Sequence, residues 1–370
     1  MSRTLGLVEK ISRLAEGKKK LRIMEVCGTH TVAIFRSGIR QLLPKNVELV
    51  SGPGCPVCVT NDDYIDKAVE YSRRKNFIVA TFGDMLKVPG SRSSLTEAIA
   101  QGADVRIIYS PLDCLKLAKE NPRKKIIFLA VGFETTAPTA AATVLAAKAQ
   151  GIKNLFMLSA QKLVPPALRF LLKDAAVKVD GFLLPGHVAV IIGADAFNFL
   201  SEEFQMPGAI GGFEAEEILI ALANLLEQID GGRVEVANEY RAVVKAEGNL
   251  AAKKILEQVY EVADVEWRGM GKISSSGLKM REAFSEFDIE RVEPIDIERV
   301  EPIDIERVEK KSACRCGEVL RGVINPIECP LFGKACQPLH AIGPCMVSVE
   351  GVCAAWFKYG GGKFNWEEKF

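Results

Sequence analysis

The sequence lacks an apolar run long enough to cross a membrane. The best candidate, Val179–Leu200, is broken by Pro185, Gly186, His187, Gly193 and two aspartates. It also lacks an excess of either charge, since 48 basic and 47 acidic residues leave a net charge of +1. We therefore expect neither a nucleic-acid-binding nor a membrane-binding surface. The first twenty residues have no uninterrupted apolar core and no small-residue cleavage site, so we predict no secretion signal and a cytoplasmic protein.

Two common nucleotide-binding loops are also missing. The chain has no Gly-x-x-x-x-Gly-Lys loop and no strand-linked Gly-x-Gly-x-x-Gly, which disfavours nucleotide-dependent catalysis. What it has instead is ten cysteines in two groups: Cys27, Cys55 and Cys58 near the start, and Cys314, Cys316, Cys329, Cys336, Cys345 and Cys353 near the end, with Cys114 alone between them. Without a secretion signal, thiols grouped in this way favour metal binding or redox chemistry over a structural disulfide framework.

Length and periodicity predict several domains. A chain of 370 residues is too long for one ordinary core. Apolar strand-like runs alternate with helical patterns, which is typical of doubly wound parallel sheets. We predict two tandem Rossmann-like α/β domains facing each other across a cleft, at residues 1–120 and 121–237. A helical connector with a repeat linker at 238–310 and a small cysteine-rich domain at 311–370 follow.

The first group of cysteines lies in loops that follow predicted strands, where α/β proteins collect ligand groups. Cys27 follows Leu21–Val26 and precedes a helix, whose N-terminus is expected to stabilise the Cys27 thiolate. Cys55 and Cys58 lie in the Gly/Pro-rich stretch Gly52–Cys58. Such a Cys-x-x-Cys pair can form a strained disulfide, offer a reactive thiolate or supply half of a metal site.

The second group forms a segment with little core of its own. Six cysteines fall within forty residues among prolines and glycines, so the segment is expected to need a metal or cluster to fold. It has no paired Cys-x-x-Cys knuckles, which makes zinc less suitable than an iron–sulfur cluster, although zinc and unliganded thiols stay open. Four thiolates complete a cubane, so two of the six are spare.

An acidic octapeptide is repeated just before this segment. Glu293–Val300 recurs unchanged as Glu301–Val308, and Asp288–Val292 is a partial third copy. Its charge and its prolines predict a solvated, extended linker between the α/β body and the cysteine-rich tail.

Taken together, the unusual motifs resemble the HypD family of hydrogenase maturation factors, and the resemblance covers nearly the whole chain apart from the octapeptide repeat. The motifs are CGTHT at Cys27–Thr31, GPGCPVC at Gly52–Cys58, TFGDMLKVPG at Thr81–Gly90, GFETTAP at Gly132–Pro138, PGHV at Pro185–Val188 and the cysteine pattern of the tail.

The resemblance implies a function. Proteins of this family carry a [4Fe-4S] cluster and, with a small HypC-type partner, form the scaffold on which the Fe(CN)2CO unit of [NiFe]-hydrogenases is assembled. A HypE-type partner delivers cyanide as thiocyanate, and Fe(II) bearing cyanide and CO is transient cargo. Such a protein is partly an enzyme and partly a metallochaperone, with no simple reaction class.

The resemblance also implies residue roles. Cys27 matches the iron-binding cysteine, and Cys55 and Cys58 match a thiol pair that relays electrons. Cys329, Cys336 and Cys353 match cluster ligands. The fourth is Cys316 or Cys314, with Cys316 preferred because a glycine follows it, and Cys345 is spare.

Other side chains are candidates for supporting roles. His30 is close enough in sequence to reach iron or donate to bound cyanide, or it simply caps the helix. His187, Asp84, Glu134 and Glu350 are candidates for orienting ligands, moving protons or satisfying loops. A second hypothesis needs no iron at Cys27: a thiol–disulfide oxidoreductase in which the cluster reduces Cys55–Cys58 for a protein substrate.

Overall fold

The computed structural model describes residues 2–297 and 313–360. The α-helices are α1 (Ser2–Ala15), α2 (Gly28–Arg36), α3 (Ile39–Leu42), α4 (Asp62–Arg73), α5 (Leu95–Ala100), α6 (Asp113–Glu120), α7 (Ala137–Ala149), α8 (Val164–Leu172), α9 (Gly186–Ile192), α10 (Phe199–Phe204), α11 (Ala215–Gly231), α12 (Leu250–Val259), α13 (Ile289–Val292), α14 (Cys316–Leu320) and α15 (Val352–Tyr359). The strands are β1 (Leu21–Glu25), β2 (Val47–Ser51), β3 (Phe77–Thr81), β4 (Val105–Ile107), β5 (Lys125–Gly132), β6 (Leu155–Gln161), β7 (Gly181–Pro185), β8 (Gly208–Gly211), β9 (Val236–Asn238), β10 (Tyr260–Trp267) and β11 (Gly271–Met280). In the described ranges, no helix combines the length and apolar character needed to cross a membrane.

Two parallel sheets organise the chain. The first has the strand order β2-β1-β7-β8-β9 and the second the order β4-β3-β5-β6, and every pairing in both is parallel. Helices connect successive strands, as parallel pairing requires. All residues of β3 and β7 are buried, which agrees with their continuous apolar sequences. The predicted α/β class with two Rossmann-like parallel sheets is confirmed.

The strands are not divided between the sheets at residue 120, the predicted boundary between the first two domains. Strands β1 and β2 join β7, β8 and β9, whereas β3 and β4 join β5 and β6. The chain therefore starts the first sheet, builds the whole second sheet and then returns. Local periodicity identifies strands but does not say which strands pair, and for this reason the sequence suggested two consecutive units.

One continuous core joins the two sheets. It contains Met24 and Val50 from the first sheet and Val79 and Leu129 from the second, all at most 1% exposed. The same core includes Cys55 and Cys58. The two cysteines are therefore part of the core that the two sheets share.

The segment after β9 is not simply helical. Helix α12 is followed by an antiparallel hairpin in which Tyr260 lies opposite Met280 and Trp267 opposite Gly271. The segment predicted as a helical connector therefore contains a pair of strands as well as helices. Residues of β10 alternate between more and less buried positions, the period of a strand with one solvated face.

The start of the acidic repeat is docked on the body instead of extended in solvent. Asp288–Val292 includes helix α13, and Ile289 within it is 0% exposed. Glu293 pairs with Arg74 at 2.6 Å and also with Lys125. An apolar side chain and carboxylates that find cations overcome the tendency of an acidic segment to stay solvated. The rest of the repeat, from residue 298, lies outside the described residues.

The cysteine-rich tail packs directly on the first sheet and its helix α2. Arg22 Nη2 donates to the Gly322 carbonyl at 2.8 Å. The Trp356 ring of α15 meets the edge of Phe35 with ring centroids 5.2 Å apart. These contacts hold the tail against the first sheet and α2.

Candidate functional site

The carboxyl edge of the first sheet gathers most of the predicted site residues. Cys27 follows β1, the disulfide loop (Gly52–Cys58) follows β2, His187 follows β7, and Phe213 follows β8. Because β1 pairs with both β2 and β7, and β7 with β8, these four loops are neighbours. This is the edge at which open parallel sheets bind ligands.

Cys27 and the disulfide loop are in backbone contact. The Gly28 N–H donates to the Gly54 carbonyl at 3.0 Å. A Cβ atom on Gly54 would lie 2.5 Å from Cys27 Cα, so only glycine fits there. The Gly-Pro-Gly sequence of this loop thus has a packing reason.

Glu350 from the tail lies beside Cys27. Its Oε1 accepts a 2.7 Å hydrogen bond from Thr29 Oγ1, and its backbone lies so close to Gly28 that a Cβ there would come within 2.4 Å of the Glu350 carbonyl oxygen. The predicted supporting role of Glu350 stays a prediction. Its position nevertheless places a carboxylate next to the Cys27 thiol.

The thiol of Cys27 is not activated by the helix N-terminus as expected. Its desolvated surroundings, and then the negative charge of Glu350, raise its pKa to about 11, and the opposing backbone N–H groups of His30 and Thr29 do not compensate. Cys27 is partly exposed. A thiolate at this position requires a compensating positive charge, which a bound cation would supply.

His30 is buried and neutral. Burial lowers its pKa to about 4, and its Nε2 donates to the Gly212 carbonyl at 2.8 Å. Its Nδ1, the lone-pair nitrogen in this tautomer, is buried and has no hydrogen-bond partner in the described structure. The expected donation to cyanide is therefore not available from this arrangement, whereas accepting a hydrogen bond is.

Phe213 lies between the two histidines. Its ring stacks on His30 with centroids 4.5 Å apart and on His187 with centroids 3.8 Å apart. Tyr240 meets the edge of Phe213 at 6.4 Å. Sequence reasoning missed Phe213, although its place in the Gly211-Gly212-Phe213-Glu214 loop after β8 was the available signal.

A buried carboxylate network supports the start of this edge. Glu25, the last residue of β1, is 0% exposed and accepts from Ser51 Oγ and Thr31 Oγ1, each at 2.5 Å, and from Arg40 at 3.3 Å. Burial raises its pKa to about 7 despite these partners. Glu25 ties the ends of β1 and β2 to α2 and was also missed, since a strand-end glutamate resembles an ordinary surface residue.

Cys55 and Cys58 are joined as a disulfide, with Cα atoms 5.3 Å apart. Both are at most 1% exposed. Of the three possibilities left open for this pair, the structure has the disulfide. Its redox function stays a prediction.

All six tail cysteines line one apolar pocket with Val319, Phe332 and Met346: Cys314, Cys316, Cys329, Cys336, Cys345 and Cys353. None of them forms a disulfide. Cys316 Sγ and Cys345 Sγ are 3.5 Å apart, so Cys345 is as close to the group as the proposed ligands. Burial raises the pKa of Cys353 well above its ordinary value, with neighbouring thiols adding to the shift.

The donor set of this pocket fits an iron–sulfur cluster. Among the described residues, no three His, Cys, Asp or Glu side chains form a group suited to a single metal ion. A four-iron cluster takes one thiolate per iron, so its ligands surround a pocket instead of converging on one point. Buried thiols with raised pKa values become thiolates only when a cationic centre compensates them.

Asp84 and Glu134 belong to the second sheet's edge. Asp84 Oδ2 accepts from Ser348 Oγ of the tail at 3.4 Å. Glu134 is 2% exposed, its Oε1 accepts from the Val164 N–H at 2.8 Å, and burial raises its pKa to about 7. Asp84 thus reaches the tail close to Glu350, whereas Glu134 anchors the start of α8.

Comparison with known proteins identifies the family of this chain. The model of the HypD family, described as "Hydrogenase formation hypA family", matches residues 3–360. The chain belongs to the HypD family of hydrogenase maturation factors. It is similar to the hydrogenase maturation factor HypD of Escherichia coli, with 45% identity over 355 residues, 95% of this chain and 93% of that protein. It is also similar to HypD of Azotobacter vinelandii, with 44% identity over 361 residues, 96% of this chain and 93% of the relative.

An archaeal relative is similar to nearly the same extent. A putative hydrogenase expression/formation protein of Methanocaldococcus jannaschii is 43% identical over 352 residues, 95% of this chain and 96% of that protein. The match to the family covers both sheets and the described tail. This HypD-family chain is therefore a hydrogenase maturation factor, as its motifs suggested.

Proposed function

We propose that this protein holds iron at Cys27 while the Fe(CN)2CO unit of a [NiFe]-hydrogenase is assembled, with a HypC-type partner completing the site. The observation that carries the proposal is the meeting of Cys27, the disulfide loop and Glu350 at one sheet edge, beside a pocket of six thiols. Low-spin Fe(II) with cyanide and CO ligands is soft and favours thiolate over carboxylate.

The chain's own residues account for the binding step. Among the described residues of this edge, Cys27 is the partly exposed thiol, so it can receive iron. Iron displaces the thiol proton, and Glu350 is the adjacent group that can accept it. One protein thiolate does not complete a coordination shell, which leaves room for a thiolate from the HypC-type partner. A HypE-type partner would deliver cyanide to the same exposed edge.

The disulfide loop would act as the redox store. Reducing the Cys55–Cys58 disulfide takes two electrons and two protons and yields two thiols. A [4Fe-4S] cluster held by Cys329, Cys336, Cys353 and either Cys316 or Cys314 supplies electrons singly when bound, with an external low-potential protein as their source. Burial of both sulfurs would shield the reduced dithiol from oxidants in solvent.

Infrared spectroscopy of the protein co-purified anaerobically with its HypC-type partner tests the scaffold. Wild type should show bands in the cyanide and CO stretching region, and Cys27→Ala should lose them. Cys114→Ala is the matched control, because Cys114 is buried on α6 and has no part in the site. Bands that persist in Cys27→Ala, or that are absent from the intact wild-type complex, would contradict the proposal.

The Cys55–Cys58 disulfide supports a second candidate, the cluster-dependent thiol–disulfide oxidoreductase. That activity needs the disulfide and the tail thiols but not Cys27. If Cys27→Ala reduces a protein disulfide as fast as wild type with the same electron donor, while Cys55→Ala does not, the oxidoreductase is the better description.

A further inference from the structure

The turn of the β10–β11 hairpin lies between the disulfide loop and the tail. We call its residues Trp267–Met270 the hairpin turn. A Cβ atom on Gly269 would lie 2.4 Å from the Cα of Gly317, which directly follows Cys316. Trp267 and Met270 are in the same buried core as Cys55, Cys58 and Cys316. The hairpin turn therefore contacts the residue that follows Cys316 and, through the Arg268 N–H, the residue that follows Cys58.

Arg268 fastens this turn to the chain that leaves the disulfide loop. Its backbone N–H donates to the Val59 carbonyl at 2.9 Å, and its Nε donates to the Thr60 carbonyl at 2.7 Å. Its Nη1 pairs with Asp62 at 2.5 Å. Three contacts to three nearby residues fix both the backbone and the guanidinium plane.

The remaining nitrogen of the guanidinium, Nη2, is not used in these contacts. Nη2 is buried and has no hydrogen-bond partner in the described structure, and the side chain as a whole is 13% exposed. An unpaired buried donor is destabilising, and more so when it is charged. The adjoining residue Gly269 is in close contact with Gly317, which directly follows Cys316, so the positive charge of Arg268 lies beside the tail pocket.

We propose that Arg268 is a positioning residue that fastens the disulfide loop to the tail and raises the reduction potential of the cluster bound there. The inference rests on the proposed function, because it requires a cluster in the tail pocket. Arg268 belongs to neither group of cysteines, and the proposal assigns a function to the hairpin turn.

The sign of the electrostatic effect follows from charge. Adding one electron, without a proton, makes the cluster and its four thiolates more negative by one unit. A nearby guanidinium stabilises that reduced form more than the oxidised form, so it raises the potential. Asp62 offsets part of the positive charge. Removing the charge of Asp62 should therefore act in the direction opposite to removing that of Arg268.

The test uses anaerobically purified full-length protein titrated with dithionite and followed by electron paramagnetic resonance. Arg268→Gln, which keeps a donor for Thr60, should shift the midpoint potential to more negative values. Asp62→Asn should shift it to more positive values. Arg268→Lys should stay near wild type, and the control Arg281→Gln, on the same hairpin but bonded to Glu257, should not move it.

The fastening has its own readout, which is the hydrogen exchange of the segment 59–63. Exchange should be faster in Arg268→Gln than in Arg281→Gln. Unmoved potentials in both Arg268→Gln and Asp62→Asn, or shifts of the same sign, would overturn the electrostatic inference, and unchanged exchange would overturn the fastening. If Arg268→Gln fails to load a cluster, the midpoint potentials of Asp62→Asn and Arg268→Lys still test the electrostatic inference. A wild-type protein that binds no cluster would overturn the proposed function as well, so the two failures are distinguishable.

Discussion

The carboxyl edges of the two parallel sheets invite comparison, because the same topology produces a different environment at each. At the first edge, Cys27 stays partly exposed beside the tail residue Glu350. At the second, Glu134 and Lys162 are each 2% exposed. The two edges differ in the segment that packs over them: the tail lies at the first edge and the β10–β11 hairpin at the second. Sheet topology creates the edge, but the segment folded over it decides whether its side chains can react.

The cover of the second edge is the β10–β11 hairpin. The Leu163 N–H donates to the Ser276 carbonyl at 2.8 Å, and Lys162 Nζ donates to the Glu266 carbonyl at 2.8 Å. Burial lowers the pKa of Lys162 to about 8. These contacts use the polar groups of the second edge to hold the hairpin. Because the hairpin also bonds to Val59 after the disulfide loop, we interpret the second edge as a structural support for the first.

Of the substitutions that distinguish the two edges, Gly54→Ala at the first edge should have the largest effect. The new Cβ would lie 2.5 Å from backbone atom Cα of Cys27, and neither backbone can yield without moving the site. We expect loss of the infrared bands described above and a drop in thermal stability on the order of a few kcal/mol. Infrared spectroscopy and thermal unfolding measure the two effects.

Gly132→Ala, at the second edge, is the matched comparison. Its Cβ would collide with the side chain of Thr136, which can rotate away. Gly6→Ala in α1 meets nothing within 4 Å and is the control for the substitution itself. If Gly132→Ala abolishes the infrared bands as completely as Gly54→Ala does, the distinction between the edges is wrong.

Glu134→Gln should give the next largest effect. Burial raises the folded-state pKa of Glu134 from 4.5 to about 7, so the folded protein binds more protons than the unfolded chain between these values. Its contribution to stability is therefore lost as pH rises through this window, by about 3 kcal/mol above pH 7.

Thermal unfolding at several pH values measures this contribution. Glu134→Gln should be more stable than wild type at pH 8 and less pH-dependent between pH 4.5 and 7. The exposed Glu202→Gln on α10 is the control. Parallel pH profiles for wild type and Glu134→Gln would show that the carboxyl is not desolvated as the structure indicates.

Glu350→Gln should have the smallest effect, and it probes the first edge. The amide keeps an acceptor for Thr29 but removes the negative charge that helps to raise the pKa of Cys27 to about 11. We expect alkylation of Cys27 at pH 8 to be several-fold faster, because a lower pKa increases the fraction of thiolate. Peptide mass spectrometry measures this rate.

Cys114 provides the internal reference for this experiment. It is buried, with a pKa raised to about 12, and its labelling should not change. Slower or equal labelling of Cys27 in Glu350→Gln would mean that the carboxylate does not act on the thiol.

Sequence predicted what is local in this protein. The strands, the loops after them and the pairing of Cys55 with Cys58 as a chemical unit all follow from short stretches of chain. The sequence did not predict that β1 and β2 share a sheet with β7, β8 and β9, because the pairing of β1 with β7 joins residues more than a hundred positions apart. The docked start of the acidic repeat was missed for the same reason. The β10–β11 hairpin is local, and it was missed because glycines and serines interrupt its strand pattern.

The candidate site shows the same division. Its cysteines were identified by their unusual setting, whereas Phe213 and Arg268 are common residues whose importance comes only from what lies beside them. The pKa of Cys27 was expected to fall at a helix N-terminus and instead rises. A helix terminus is visible in sequence, but desolvation and a carboxylate supplied from more than 300 residues away are not.

Mössbauer spectroscopy of the 57Fe-labelled complex with the HypC-type partner tests most directly the central claim that the sheet edge and the tail hold separate iron. We predict a low-spin iron component in addition to the four irons of the cluster. Cys27→Ser should lose only that component, and Cys329→Ser should lose the cluster signal. Loss of both signals in Cys27→Ser, or loss of neither, would contradict the account.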